Sequence, residues 1–388
     1  MSASRGTMPL LIAATFAAAG GIHYQTPMLG AMAADFGADG AAIGWIPTLS
    51  FGGFLAGIVF IVPLGDRIDK RRLILVQHVA AIASLLGAAA APNLAAEAAA
   101  AFLIGLCSCY AQTIVPFVTE LAAPEQRGRA VGTILTALFL GILFARISGG
   151  LVAAHLGWRW TYVMAAALLA SLAPAMFSRL PSSAPKTALS YPALIGSVAQ
   201  LVRKYAEMRR VIGIQLLLGI CYGGFWATLA PMVLRVHGLG PTIAGLIGIP
   251  GAAGILVARP AGRWMDLRGP WLLVALGISL IFVAYLVLAL GAWWVLALPV
   301  GAALLDCGLR STMVPNQTVV NSLAADARSR SNTVFGMAVW TGNALGAFLA
   351  SAAFARSGWL AVCAISLLAA LLALGVQLRA WSRASRFT

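Results

Sequence analysis

Three charged residues lie inside long apolar stretches of the sequence, where an ionised side chain needs a chemical reason. Arg146 interrupts one stretch, and Asp306 and Arg310 interrupt another at an i, i+4 spacing that puts both on one helix face. An ionised group at the centre of a bilayer costs about 2.5–3.5 kcal/mol on insertion scales. One interpretation is structural, with Asp306 and Arg310 neutralising each other. The other is that Asp306 binds and releases a proton as Arg310 or Arg146 approaches or withdraws, which makes all three candidates for proton coupling.

A second group of polar and aromatic residues lies in otherwise apolar runs and is a candidate for contact with a solute. His23 and Gln25 occur together in the first run, and His23 is also a candidate proton relay. The candidates for the lining of a solute cavity are His23, Gln25, Gln112, Tyr222, Trp226, Trp340 and Asn343. Each has a simpler interpretation as a hydrogen-bonded or aromatic side chain in helix packing.

Catalytic and cofactor chemistry is not indicated. The sequence contains no nucleotide-binding loop, and no acid, base and nucleophile gather at a membrane face. The five cysteines lie inside apolar runs without metal-ligand partners, so we interpret them as small core residues. We therefore expect no enzyme activity, no metal and no cofactor, with a proton gradient as the energy source.

Composition indicates what must position these residues. Of 388 residues, 61% are hydrophobic and 10% are charged, and the mean hydropathy is +0.92. A soluble domain has about 45–50% apolar and about 25% charged residues, so this chain could not cover its own core with polar surface. The net charge of +15 does not indicate nucleic acid, because the basic residues are scattered between apolar segments and form no common face.

The apolar segments predict an all-α integral membrane protein with twelve transmembrane helices, because each is close to the roughly 20 residues that span a bilayer. The predicted helices are 9–31, 42–64, 73–91, 97–119, 130–154, 160–180, 211–234, 242–261, 271–290, 292–316, 332–354 and 358–379.

The positive-inside rule orients these helices. With a cytoplasmic N-terminus, nearly all Lys and Arg residues lie on the cytoplasmic side. The exceptions are Arg159, Arg235 and Arg356, which lie outside, and Arg146 and Arg310, which lie within helices. An even number of helices returns the C-terminus to the cytoplasm. The predicted domains are a six-helix bundle over 1–180, a cytoplasmic linker over 181–210 and a second six-helix bundle over 211–388.

An internal repeat supports two pseudo-symmetric bundles. Residues 127–129, Arg-Gly-Arg, match residues 328–330, Arg-Ser-Arg, and Gly157-Trp158 match Gly358-Trp359 at the same spacing. In the loops after helices 2 and 8, a second match pairs Gly65, Asp69 and Arg71 with Gly262, Asp266 and Arg268.

The segment from Gly65 to Arg72 resembles the signature between helices 2 and 3 of the major facilitator superfamily, and residues 262–269 resemble its weaker counterpart between helices 8 and 9. In that family the motif holds the cytoplasmic side shut in the outward-open state. The resemblance therefore implies a gating role for Gly65, Asp69 and Arg71 and for Gly262, Asp266 and Arg268. The alternative is a basic loop that only fixes topology.

Helix 5 resembles the exporter signature of the same superfamily, with two departures. Ala145 replaces a glycine of that signature and Arg146 replaces its proline. Small residues at this spacing should allow helices 5 and 11 to pack closely, with Gly141, Gly149 and Gly150 on helix 5 and Gly342 and Gly346 on helix 11. Ordinary small-residue packing explains the same glycines. Helix 4 lacks the arginine that proton-coupled drug antiporters of the family usually carry.

The resemblance implies a secondary transporter that moves a small organic solute by alternating access, most simply by proton-coupled export. The alternatives are a proton-coupled importer or facilitator of a sugar or organic acid, and a membrane sensor that does not transport. The expected partners are a small-molecule substrate, protons and the lipid bilayer, and no nucleic acid is expected. We expect the protein to be a monomer in the bacterial inner membrane.

Overall fold

The computed structural model describes residues 7–123, 126–183, 196, 200–251, 254, 257, 264, 267, 269–323 and 328–384. Over these residues the secondary structure is helical, with no strand. The all-α prediction is therefore confirmed for the described part of the chain. Half of the predicted linker lies outside it, and the helix that begins at Ala206 starts ahead of the predicted boundary.

The described residues of the first half of the chain form nine α-helices, and some predicted spans contain more than one of them. They are α1 (Thr7–Gly20), α2 (Leu29–Phe36), α3 (Gly40–Ile43), α4 (Trp45–Ala56), α5 (Lys70–Ala89), α6 (Leu94–Ser108), α7 (Tyr110–Leu121), α8 (Arg127–His155) and α9 (Trp158–Arg179). A 3-10 turn, Thr26–Met28, joins α1 to α2, and a π-helical turn, Gly57–Ile61, with a 3-10 turn, Val62–Asp66, extends α4.

The second half follows the same plan. Its helices are α10 (Ala206–His237), α11 (Pro241–Leu246), α12 (Gly248–Gly251), α13 (Pro270–Leu290), α14 (Ala297–Leu323) and α15 (Arg328–Ala384). Helix α15 contains two helical parts, because Gly358 has a left-handed φ of 74° that breaks the helix between them. The break lies at the residue where predicted helix 12 begins.

Eight helices of the described residues are long and apolar enough to cross a membrane. One of these eight is α15, which the break at Gly358 divides into two apolar helical segments. Helix α1 and the pair α11–α12 are apolar but shorter. The count of twelve transmembrane helices stays a prediction.

Hydrogen bonds between helix ends show which ends lie together. Arg71 Nη2 donates to the carbonyl of Phe177 (2.7 Å), so the start of α5 adjoins the end of α9. Arg159 Nη1 donates to Asp35 Oδ2 (2.6 Å), so the start of α9 adjoins the end of α2. We call the face with the starts of α5, α8, α10, α13 and α15 the basic face, and the other the opposite face.

Equivalent helices pair in the two halves. A Cβ atom on Gly141 of α8 would collide with the backbone of Phe16 in α1, and one on Gly342 of α15 would collide with the backbone of Leu216 in α10. Glycine allows this backbone approach at both places. Large apolar side chains remain exposed on the outer surface, among them Leu86, Leu286 and Leu371. Such a surface suits hydrocarbon and would aggregate in water.

Candidate functional site

The three charged residues singled out in the sequence lie together in the structure. Asp306 and Arg310 are one turn apart on α14, and Arg310 Nη2 is 3.7 Å from Asp306 Oδ1. Arg146 reaches the same place from α8 in the first half. Only 3% of Arg146 and 4% of Asp306 is exposed. The site therefore lies between the two halves, and its role in proton coupling stays a prediction.

Arg146 is held by two aromatic residues of the second half. Its Nη2 donates to the hydroxyl of Tyr222 (2.8 Å), and its Cζ lies 3.4 Å from the centroid of the Trp226 ring. A desolvated cation–π contact of this kind stabilises by about 2 kcal/mol. Both aromatic residues are on α10, so these two cavity candidates contact the charged site directly.

Arg310 makes the reciprocal contact with the first half. Its Cζ lies 4.4 Å from the centroid of the Phe139 ring, which belongs to α8. Each half therefore places an arginine against an aromatic residue of the other half. These contacts join α8 to both α10 and α14.

Two glycines of α12 form one wall of the site. A Cβ atom on Gly251 would lie 3.3 Å from Asp306 Oδ2, and one on Gly248 would lie 3.1 Å from Arg146 Cδ. Their lack of side chains lets α12 approach and leaves a cavity of about 20 Å³ among the charges. That volume accommodates one group of about the size of a water molecule.

His23 and Gln25 lie in the turn between α1 and α2 and are buried. His23 is within electrostatic range of Arg146 and Arg310, and its Nδ1 has no hydrogen-bond partner among the described residues. Gln25 Nε2 donates weakly to the carbonyl of Ile22 (3.4 Å). His23 is therefore near the charged site, whereas the contact shown for Gln25 is local.

The remaining cavity candidates lie elsewhere. Trp340 packs against Phe54, with ring centroids 4.3 Å apart, in an apolar layer between the halves. The backbone of Asn343 closely approaches Gly223 of α10. Gln112 is half-buried in α7. The structure thus does not bring Gln112, Trp340 or Asn343 to the charged site.

A larger cavity of about 440 Å³ lies between the halves toward the basic face. Its lining is mainly apolar, and its polar members come from the ends of the helices and from three threonines: Asp66, Lys70, Arg330, Thr113, Thr333 and Thr341. None of the residues predicted to line a solute cavity is among its lining residues. In the sequence, Lys70 was part of the motif after predicted helix 2 and Arg330 was part of the internal repeat, and neither was a cavity candidate.

At the opposite face the halves are in contact. A Cβ atom on Gly150 of α8 would lie 2.5 Å from the carbonyl oxygen of Pro241, and one on Gly245 of α11 would lie 2.5 Å from that of Arg146. Trp45 of α4 also packs on Phe348 of α15, with ring centroids 5.3 Å apart. The protein is therefore closed between its halves at one face and hollow toward the other.

Comparison with known proteins decides the family. Residues 11–326 match the family model described as Major Facilitator Superfamily. The chain belongs to the major facilitator superfamily. A relative within it is the uncharacterized transporter YgaY of Escherichia coli O157:H7, which is 34% identical over 380 residues, covering 96% of this chain and 95% of YgaY.

The chain is also similar to two further proteins. The multidrug resistance protein B homolog of Mycobacterium tuberculosis H37Rv is 24% identical over 385 residues, covering 82% of this chain and 70% of that protein. The crystal structure of a bacterial homolog of the human lysosomal transporter Spinster has a TM-score of 0.79 at 15% identity, covering 97% of this chain and 96% of that chain. The latter likeness shows the shared fold. The chain is thus a membrane transporter of this superfamily and not an enzyme.

The superfamily motif after predicted helix 2 makes its described contacts within the first half. Asp69 Oδ1 accepts hydrogen bonds from the backbone N–H of Arg71 and of Ser183, both at 2.9 Å. Lys70 Nζ lies 3.1 Å from Glu120 Oε1. Gly65 borders the larger cavity. The matching residues Gly262, Asp266 and Arg268 lie outside the described residues, so the gating role stays a prediction.

The glycines of the exporter-like helix have different partners from those expected. Gly141 of α8 packs on the backbone of Phe16 in α1, and Gly149 packs on the backbone of Tyr24 in the turn that follows α1. Gly150 packs on α11. Gly342 and Gly346 of α15 pack on α10. The expected contact between predicted helices 5 and 11 is therefore not formed by these glycines. All except Gly150 pack within their own half, because the first helix of each half lies beside the fifth.

A second buried carboxyl group was missed. Glu97, in the first turn of α6, is fully buried, and Tyr162 of α9 donates a hydrogen bond to its Oε1 (2.6 Å). Its place at the end of an apolar run concealed it, because a residue at a helix end can equally face water. Glu97 lies within the first half, away from the cavities described above.

Proposed function

We propose that the protein is a secondary active transporter that moves a small organic solute across the bacterial inner membrane by alternating access, coupled to protons. The observation that supports this most directly is the cavity of about 440 Å³ between two halves that touch at the opposite face. In alternating access the two halves rock about a central site and expose it to one side at a time.

Asp306 is the proposed proton-coupling residue. It is buried between the halves, faces Arg310 on its own helix and lies in the cavity that Arg146 enters from the first half. Because Arg146 belongs to the other half, rocking changes its distance from Asp306. The affinity of Asp306 for a proton then changes with conformation, which is what coupling requires.

Export is the proposed direction. The glycine spacing of α8 resembles the exporter signature, and a multidrug resistance protein is among the relatives. One observation favours the alternative, a proton-coupled importer of an organic acid, because two arginines face one carboxylate at the site. A sensor without transport activity is less well supported, because a one-sided cavity is expected of a transport cycle.

We further propose that the basic face is cytoplasmic, with both termini inside, as the distribution of Lys and Arg indicates. In that orientation the cavity faces the cytoplasm. We also propose that the protein acts as a monomer. We propose that it does not bind nucleic acid, because the basic residues form no common face.

Proton movement in proteoliposomes tests the proposal. A pH-sensitive dye inside the vesicles is followed while candidate organic solutes are added under an imposed solute gradient. We expect solute-triggered proton flux with the wild type and at least about a tenfold loss with Asp306→Asn, because the amide cannot carry the proton. Asp35→Asn is the matched control, since Asp35 lies at the opposite face and pairs with Arg159.

The other outcomes are equally clear. Coupled flux that survives in Asp306→Asn would make Asp306 a structural residue. Solute flux without proton movement in the wild type would indicate a facilitator. Ligand binding without flux of any solute would indicate a sensor.

A further inference from the structure

The two arginines of the charged site use few of their hydrogen-bond donors. A guanidinium group carries five N–H donors. Among the described residues, Tyr222 is the hydrogen-bond partner of Arg146, no carboxylate lies within ion-pair distance of Arg146, and its Nε has no partner. Arg310 Nε also lacks a partner, and its contact with Asp306 is long, at 3.7 Å.

The charge at this site is unbalanced. The described residues that line the small cavity include two arginines and one carboxylate, and the others are uncharged: Phe139, Ile142, Leu143, Tyr222, Gly248 and Gly251. An unpaired charge in a buried site is strongly unfavourable unless something compensates it. His23 is nearby, and it cannot supply the missing negative charge.

We infer that Arg146 and Arg310 form a binding site for one small anionic group, either the carboxylate of a transported solute or an inorganic anion such as chloride. The cavity of about 20 Å³ is lined by both arginines and has room for one atom-sized group, such as one oxygen of a carboxylate. Tyr222 accepts a hydrogen bond from Arg146, so its own hydroxyl proton is available to the bound anion. Planar guanidinium groups suit carboxylates in particular.

The position of the two arginines gives the bound anion a conformational effect. Arg146 belongs to α8 and Arg310 to α14, so an anion between them attracts both halves at once. Binding therefore favours the conformation in which α8 lies against the second half. A cation at the same place would be repelled by two guanidinium groups and attracted by one carboxylate.

If the anion is the solute, which rests on the proposed transport function, the site also fixes the sign of coupling. The charged and titratable groups around Asp306 are Arg310 and Cys307 on α14, Arg146 on α8 and Tyr222 on α10. An anion and the Asp306 carboxylate repel each other, so a proton on Asp306 and the anion strengthen each other's binding. Anion and proton then cross together in one direction, so an anionic solute would follow the inward proton gradient, as in the alternative of an organic-acid importer. The proposed export would apply only to a solute that does not use this site.

Isothermal titration calorimetry of the purified full chain in dodecyl maltoside tests the site. The probes are benzoate, its neutral analogue benzamide, its cationic analogue benzamidine, and chloride, each titrated into buffer that contains methanesulfonate as the background anion. We expect benzoate or chloride to bind, and Arg146→Gln or Arg310→Gln to weaken that binding at least about tenfold. Arg159→Gln, which removes an exposed arginine at the opposite face, should leave binding unchanged.

Two further variants keep the test decisive if the glutamine variants do not fold. Arg146→Lys retains the charge but loses the planar fork, so it should weaken benzoate more than chloride. Asp306→Asn removes the competing carboxylate, so it should tighten the anion at least about threefold. Benzoate binding without chloride competition identifies the solute carboxylate as the ligand, and chloride binding that excludes benzoate identifies an inorganic anion.

Several results would overturn the inference. The inference fails if neither anion binds to the folded wild type, or if benzamide and benzoate bind equally well. It also fails if benzamidine binds and Asp306→Asn abolishes that binding. Proton-coupled flux of a neutral solute with no anion binding would leave the proposed transport function intact and remove the anion site alone.

Discussion

The contact between α8 and α11 at the opposite face offers a direct test of alternating access. Gly245 faces the carbonyl oxygen of Arg146, and Gly150 faces that of Pro241. These glycines belong to different halves, so their approach closes the protein on that side. The substitution Gly245→Ala places a methyl group in this contact.

The size of the effect follows from the distances. The new Cβ would lie 2.5 Å from Arg146 O, and ordinary contact begins at 3.4 Å, so the backbones must separate by about 0.9 Å. Overpacking of this kind costs about 1–3 kcal/mol. If the added methyl group costs this free energy only while the halves touch, it lowers the population of the conformation closed at the opposite face. Relative to the conformation open at that face, this population falls by about 5–150-fold.

Labelling of the larger cavity measures this ratio. Met337 lines that cavity, so Met337→Cys reports its accessibility to a maleimide reagent. Cys307 is the half-buried native cysteine and is replaced by serine, while the other four cysteines are buried. We expect Gly245→Ala to slow the labelling at position 337, because a smaller fraction of the protein then has the cavity open toward the basic face.

Gly132→Ala is the matched control, since Gly132 also lies in α8 and a Cβ atom there would have no heavy atom within 4 Å. Its labelling rate should equal that of the parent. Unchanged labelling in a folded Gly245→Ala protein would refute the idea that α8 and α11 form a closing contact between the halves.

Two further predictions concern single contacts. Tyr162→Phe removes the hydrogen bond to the buried Glu97, and we expect it to lower the free energy of unfolding by about 1–3 kcal/mol. Thermal unfolding in detergent measures this loss, and Ser171→Ala, at an exposed position, is the control. At the opposite face, Arg159 donates a hydrogen bond to Asp35 and holds the pKa of that carboxyl below its usual 3.8. The contribution of Asp35 to stability is therefore present above pH 3.8 and is lost as the pH falls through the lowered pKa, so unfolding temperatures of wild type and Asp35→Asn should differ near neutral pH and converge in acid.

Much of the fold could be predicted because the bilayer imposes strong rules on sequence. Apolar length and the distribution of basic residues indicated membrane helices, and the Gly358 break lies where the repeat with Gly157 predicted a helix boundary. The pairing of Asp306 with Arg310 followed from helical periodicity alone, because i, i+4 residues share a face.

The partners of Arg146 could not be predicted. Its contacts with Tyr222 and Trp226 depend on how α8 and α10 are rotated about their axes and how close the two halves lie. Apolar residues surround both helices nearly uniformly, so the sequence pattern contains no strong signal for rotation. The same uncertainty placed Trp340 in a solute cavity, whereas it packs in an apolar layer.

The reciprocal arginines also bear on how the chain is assembled in the membrane. Arg146 is synthesised before α10, so when it first enters the bilayer neither Tyr222 nor Trp226 exists to receive it. Water or lipid head groups must solvate its guanidinium until the second half arrives. The aromatic partners of Arg146 thus become available only once the second half has been inserted beside the first.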